Sequence, residues 1–184
     1  MDFERVLKTL LEEFEEKHIR CALMGGVALG VWGAPRATMD IDFLVHRDDL
    51  DALHDAMQTF GYQRRACSED VSQYRHEVPG LGSVDFVHAF RRISLEMLGR
   101  AVARPVFGGT RQVRVLLPED VIGLKVQAIV NDPETRKAKD SADIEALMAA
   151  RGAELDWGRV EEFYKLFSLE EEARRLRERF GHAG

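Results

Sequence analysis

Met24-Gly25-Gly26-Val27-Ala28-Leu29-Gly30-Val31-Trp32-Gly33-Ala34-Pro35-Arg36-Ala37-Thr38-Met39-Asp40-Ile41-Asp42-Phe43-Leu44-Val45 is the stretch that decides how this chain folds. Asp40-Ile41-Asp42 runs straight into the apolar Phe43-Leu44-Val45, which reads as a short strand with a buried far end. Side chains alternate between the faces of a strand, so Asp40 and Asp42 project together while Ile41, Phe43 and Val45 point to the core. Neighbouring carboxylates repel. The pair becomes tolerable at a half-buried strand end when a divalent cation lies between them, and Mg²⁺ suits carboxylate and water oxygens. Gly25-Gly26 lies between the apolar segment Cys21–Met24 and a helix expected from Val27, where bare backbone can approach an anion at a helix N-terminus. Thirteen residues separate Gly26 from Asp40. That is room for a short helix and a return turn at Gly33-Ala34-Pro35, bringing the carboxylates back beside the glycines. Arg36 and Thr38, spaced as the aspartates are, can bind phosphate oxygens. The combination points to a nucleoside triphosphate site. Taken singly, Gly-Gly also fits a tight connection, and a spaced aspartate pair a solvated loop or helix cap.

In their order, Gly25-Gly26, Ala28, Trp32-Gly33, Arg36, Thr38 and Asp40-Ile41-Asp42 resemble the core motif of the DNA polymerase β-like nucleotidyltransferase superfamily. The branch they most resemble is the AbiEii/AbiGii-type nucleotidyltransferases of type IV toxin–antitoxin systems, over roughly residues 20 to 150. Gly26 departs from the commoner Gly-Ser pattern, so one hydroxyl is missing from the phosphate loop. This bears on the strength of triphosphate binding and on turnover, not on the location of the site. The resemblance implies an α/β (α+β) fold: a polymerase β-like core with a mixed sheet flanked by helices, and a C-terminal helical bundle. It also implies a third carboxylate on a neighbouring strand. In Gly82-Ser83-Val84-Asp85-Phe86-Val87, alternation sets Asp85 against Val84 and Phe86, making it the candidate; a lone surface pair is the other reading.

The activity implied is Mg²⁺-dependent transfer of a nucleoside monophosphate from an NTP to an acceptor hydroxyl, with pyrophosphate leaving. Asp40, Asp42 and Asp85 would hold two ions, and Asp85 would take the hydroxyl proton. Gly25, Gly26, Arg36 and Thr38 would face the nucleotide. The acceptor in this branch is a tRNA end or a protein, and a cognate antitoxin is the implied partner. Two alternatives stand beside it: an aminoglycoside-like antibiotic adenylyltransferase, which uses a similar arrangement, and a non-catalytic nucleotide- or partner-binding member of a toxin–antitoxin pair.

A chain of 184 residues, 45% hydrophobic, can bury one good core, so 1–184 reads as a single nucleotidyltransferase domain, with its core over about 18–116 and a helical part over about 117–181. No apolar run of about 18 residues occurs, and no membrane partner is expected. Cys21 and Cys67 suggest neither a disulfide framework nor a zinc site. With an acidic, helical N-terminus, they fit a cytoplasmic protein. The net charge of −6 argues against indiscriminate nucleic-acid binding. However, Arg91, Arg92, Arg100, Arg104, Arg111 and Arg114 crowd one segment, as a basic surface for tRNA or nucleotide or as a solvated face.

Helical spacing predicts a first helix from Phe3 to near His18 and another over Asp48–Phe60; alternation predicts strands at Tyr62–Arg65, Gln73–Val78 and Val84–Ala89. A short helix at Ser94–Arg100, short strands around Val106 and Val113–Leu116, and helices from Pro118 onward complete the pattern. In the helix opening at Pro118, Lys125 falls near the centre of an apolar arc of Val121, Ile122, Leu124, Val126 and Ile129. An ammonium there either reaches a carboxylate or phosphate, or snorkels at the helix edge. The first reading makes Lys125 a triphosphate ligand, and Lys125→Met is then expected to leave stability unchanged or higher. In the next helix Arg136, Lys139, Asp140 and Asp143 share the face of Ile144 and Leu147. Their pattern is similar to a late motif of the toxin-type enzymes. That implies Lys139 in the cleft, with Arg136, Asp140 and Asp143 in support; an intrahelical salt-bridge face is the alternative. His46, His54, His76 and His88 show no ligand spacing and are not assigned to catalysis.

Overall fold

The computed structural model describes residues 1–109 and 111–182. They form a mixed α/β fold with seven strands in one sheet, divided into two compact units, Met1–Ala28 with Arg36–Leu116 and Leu29–Pro35 with Leu117–Gly184.

The first unit runs α1 (Phe3–Glu16), β1 (Cys21–Met24), the opening of α2 (Gly25–Val31), β2 (Asp40–His46), α3 (Leu50–Thr59), β3 (Gln63–Cys67), β4 (Val71–Arg75), β5 (Ser83–Ala89), α4 (Arg92–Arg100), β6 (Val102–Val106) and β7 (Arg111–Val115). The sheet order is β3-β4-β5-β2-β1-β7-β6. β2 pairs parallel with β5 and β1 parallel with β7; the other pairings are antiparallel. Asp2 caps α1 by accepting the Arg5 N–H, and Val6, Leu7, Leu10, Leu11 and Phe14 bury one stripe of that helix. Phe14 meets Phe43 and Phe86 edge-on at 5.8 and 6.1 Å, and those two rings stack at 5.6 Å. This cluster fixes which face of β2 and β5 is the core, and the aspartates therefore emerge on the other.

Several boundaries differ from expectation, three of them near the carboxylates or on the strands beside them. The helix after β1 opens at Gly25 rather than Val27. The strand expected at Tyr62–Arg65 is Gln63–Cys67, exposed along its length and bulged between Arg64 and Ala66. The strand expected at Gln73–Val78 is Val71–Arg75. Its buried positions are Ser72 and Tyr74, and a buried serine hides the alternation from a hydrophobicity reading. Ser72 is satisfied there by buried His88, whose Nε2 lies 3.1 Å from its Oγ while Nδ1 lies 2.9 Å from the Glu69 carbonyl. Cys21 is buried, which pushes its thiol up to about 12, and Cys67 is exposed on the edge strand; neither forms a disulfide.

The second unit holds α5 (Pro118–Asn131), α6 (Pro133–Arg151), α7 (Trp157–Lys165) and α8 (Glu170–Phe180). Val121, Ile122, Val126, Ile144, Leu147, Met148, Val160, Phe163 and Tyr164 are buried in it. Gly123 lets α7 approach α5, since a β-carbon there would stand 2.7 Å from the Phe163 ring. Two buried acids at the start of α5 tie the same pair of helices: Glu119 accepts the Asp156 N–H at 2.8 Å, and Asp120 accepts Arg159 Nε–H at 3.1 Å. Among the described residues no helix is long and apolar enough to cross a membrane.

Candidate active site

Parallel pairing of β2 with β5 sets Asp42 opposite Asp85 and Asp40 opposite Ser83. Residues opposite one another share a face, so all three carboxylates meet: one oxygen from each lies within 4.8 Å of the others. Each residue is half-buried. Burial, and then the neighbouring Asp40 charge, raise the Asp85 carboxyl above its ordinary range, while the Gln73 amide opposes the shift. Gln73 Nε2–H donates to Asp85 Oδ2 at 3.3 Å. Thr38 Oγ1–H donates to Asp40 Oδ1 at 2.5 Å. Three converging, half-buried carboxylates form an all-oxygen donor set suited to a hard divalent cation.

The glycine turn abuts this cluster. Gly25 has φ +63°, and a β-carbon on it would lie 1.9 Å from Asp42 Oδ2. Only glycine meets both demands. A β-carbon on Gly26 would lie 2.8 Å from Thr38 Cβ, 2.9 Å from its Oγ1 and 3.2 Å from Arg36 Nη1. The return segment has therefore folded back on the turn, and the Thr38 hydroxyl stands where a side chain at position 26 would begin. Arg36 Nη1–H donates to the Ala37 carbonyl at 2.9 Å. Gly25, Gly26, Arg36, Thr38, Asp40, Asp42 and Asp85 are thus gathered in one place.

The later charged residues form a second cluster, within the helical unit. Buried Lys125 donates from Nζ to Asp140 Oδ1 at 2.7 Å and to Asp143 Oδ2 at 2.6 Å, and both carboxylates are buried. Arg136 Nε lies 3.2 Å from Asp140 Oδ2 without hydrogen-bond alignment. Lys139 is exposed on the same helix. The carboxylates read as supports for Lys139 are the partners of Lys125.

The arginine-rich segment is largely engaged. Arg91 pairs with Asp70 at 3.1 Å, Arg92 with Glu96 at 2.8 Å and Arg111 with Glu12 at 3.1 Å. Arg114 Nη2–H donates to the Leu98 carbonyl at 2.8 Å, closing the end of α4. Sequence reasoning missed Gln73. Its signal was register: β4 lies beside β5, with Gln73 opposite Asp85.

Residues 2–178 match the sequence profile of a family described as "Uncharacterised nucleotidyltransferase". No match was found among curated proteins. Of solved structures, the antibiotic-resistance factor ANT(2″)-Ia in solution is similar with a TM-score of 0.67 at 16% identity, over 97% of this chain and 99% of that one. Lincomycin-bound LnuA, a lincosamide antibiotic adenylyltransferase, gives 0.54 at 16% identity over 80% of this chain and 97% of its own. An antigenic nucleotidyltransferase-like protein from Paracoccidioides brasiliensis gives 0.56 at 18% identity, over 95% and 91% respectively. At these identities the likeness is one of fold. The carboxylates beside a glycine turn and the match along nearly the whole chain agree, and this protein belongs to that nucleotidyltransferase family and is an enzyme.

Proposed function

We propose that the protein transfers a nucleoside monophosphate from an NTP to an acceptor hydroxyl in a Mg²⁺-dependent reaction, as a toxin-type enzyme of the AbiEii/AbiGii kind acting on a tRNA end or a protein. The observation that carries the reading is the convergence of Asp40, Asp42 and Asp85 beside Gly25. Asp40 and Asp42 would hold the nucleotide-bound ion, and Asp40, Asp42 and Asp85 a second ion near the acceptor. When bound, such ions offset charge at the α-phosphate and acidify the acceptor hydroxyl. Asp85 would take the hydroxyl proton as the acceptor oxygen bonds to the α-phosphorus and the bond to the departing pyrophosphate breaks. The backbone of Gly25 and Gly26, with Arg36 and Thr38, orients the triphosphate. The family resemblance adds Lys125 and Lys139 to that role. Lys125 is held by two carboxylates of α6, which gives it the ordering of α5 on α6, and Lys139 is exposed.

A second reading, modification of an antibiotic, draws its support from likeness of fold to ANT(2″)-Ia and LnuA. Incubation with each α-labelled NTP, Mg²⁺ and either total tRNA or an aminoglycoside separates the two by where label appears. Asp40→Ala and Asp42→Ala should abolish transfer at least a hundredfold while leaving the fold intact. Retained transfer in either variant overturns the metal assignment.

A further inference from the structure

The register of the sheet carries the site further than the three carboxylates. Asp40 of β2 lies opposite Ser83 of β5, Ser83 opposite Arg75 of β4, and Arg75 opposite Gln63 of β3. The next row, in the same way, is Asp42, Asp85, Gln73 and Ala66. The Gln73–Asp85 hydrogen bond shows that these rows share one face of the sheet. Beyond Ser83 and Asp85 that face is open: Gln73, Arg75, Gln63 and Ala66 are all exposed. Past the metal-binding carboxylates the two rows contain an arginine, a serine, two glutamines and an alanine, with no acid. Glu77, just beyond β4, is occupied, accepting from Gln63 Nε2 at 2.9 Å with Arg65 Nη2 at 3.8 Å. Among the described side chains none pairs with the Arg75 guanidinium.

Resting on the nucleotidyl-transfer reading, we propose that this face seats the acceptor, and that Arg75 binds a phosphate carried by the acceptor close to its reacting hydroxyl. A guanidinium offers a phosphate two parallel donors, and it repels a polycation. An aminoglycoside, with its several ammonium groups, needs carboxylates where this protein has Arg75 and glutamines. Strands lie about 4.8 Å apart, so Arg75 starts about 10 Å along the row from Asp40, and its flexible stem closes part of the gap. That matches an acceptor whose hydroxyl and phosphate belong to a single sugar unit. The chemistry is shared by the end of a nucleic acid strand and by a free sugar phosphate.

The test uses the full chain loaded with Mg²⁺ and a non-hydrolysable ATP analogue. Four probes are titrated by calorimetry: ribose, ribose 5-phosphate, a short oligoribonucleotide with a free 3′ hydroxyl, and kanamycin. At least one phosphate-bearing probe should bind tenfold or more tighter than ribose, and Arg75→Gln should remove that advantage without changing affinity for the ATP analogue. Arg75→Glu should shift preference toward kanamycin. Tight binding by the oligoribonucleotide alone identifies a nucleic acid end; equal gains with ribose 5-phosphate identify a small phosphorylated acceptor. Indifference of the parent to phosphate, or an Arg75→Gln variant with the parent's affinities, overturns the proposal. A parent that prefers phosphate but transfers no label from α-labelled NTP overturns the catalytic reading and leaves this one standing.

Discussion

Gly25 and Asp42 compete for one volume: a β-carbon on the glycine would stand 1.9 Å from the carboxylate Oδ2. Gly25→Ala therefore forces Asp42 out of the carboxylate cluster and adds about 1–2 kcal/mol of backbone strain at a positive φ. The variant should fold with a lower Tm and lose the stabilisation that Mg²⁺ with ATP gives the parent. Thermal melts with and without these ligands measure both, and an undiminished ligand-induced rise would detach Gly25 from the site.

Gly26→Ser tests whether the serine of the commoner pattern is wanted here. Thr38 occupies the space, its Cβ 2.8 Å and Oγ1 2.9 Å from the new β-carbon. The substitution should cost about 1–3 kcal/mol by overpacking and should not tighten ATP binding. Adding Thr38→Ala should restore stability. If Gly26→Ser alone binds ATP several-fold more tightly, Thr38 is no substitute for the missing hydroxyl.

The raised proton affinity of Asp85 makes a pH prediction with a definite sign. Its folded-state pKa lies above the unfolded value, so the metal-free protein is most stable where the carboxyl is protonated and loses stability as pH rises through that folded value. Asp85→Asn should melt higher than the metal-free parent at neutral pH, with the difference vanishing in acid. With Mg²⁺ the order reverses, because the ion competes with the proton and the parent gains stabilisation as pH rises. A variant that melts no higher than the parent at neutral pH without metal would show that Asp85 is not under this electrostatic pressure.

Lys125→Met is not the harmless exchange its place in an apolar arc suggests. Asp140 and Asp143 both depend on its ammonium, and removing one partner from a buried charge cluster costs about 3–5 kcal/mol. Urea unfolding should show a loss of that size. Combining it with Asp140→Asn and Asp143→Asn should recover much of it. A loss confined to the single variant's NTP affinity, with stability intact, would return Lys125 to the triphosphate.

What was legible in the sequence was what depended on short range. Asp40 and Asp42 share a face because they are two apart, and Phe43-Leu44-Val45 declares the buried end of the same strand. Asp85 was legible by the same alternation. The β4 boundaries were not, because Ser72 sits in a core position and is satisfied by His88 sixteen residues away. Lys125 announced its need for a partner, yet the two that meet it lie on the next helix, where a charged face looks like any solvated ion-pair row. Gln73 carries no signal of its own and acquires a role only through cross-strand register.

That register binds the site to the core in another sense. β2 and β5 pair across about forty residues of intervening chain, and one alignment sets Phe43 against Phe86 as well as Asp42 against Asp85. A slip of one residue in β5 would turn Asp85 toward Phe14 and put Phe86 in water, an error that folding energetics reject outright. The chain thus proofreads its own carboxylate alignment: a molecule that has packed its aromatic cluster has already set Asp42 and Asp85 in register.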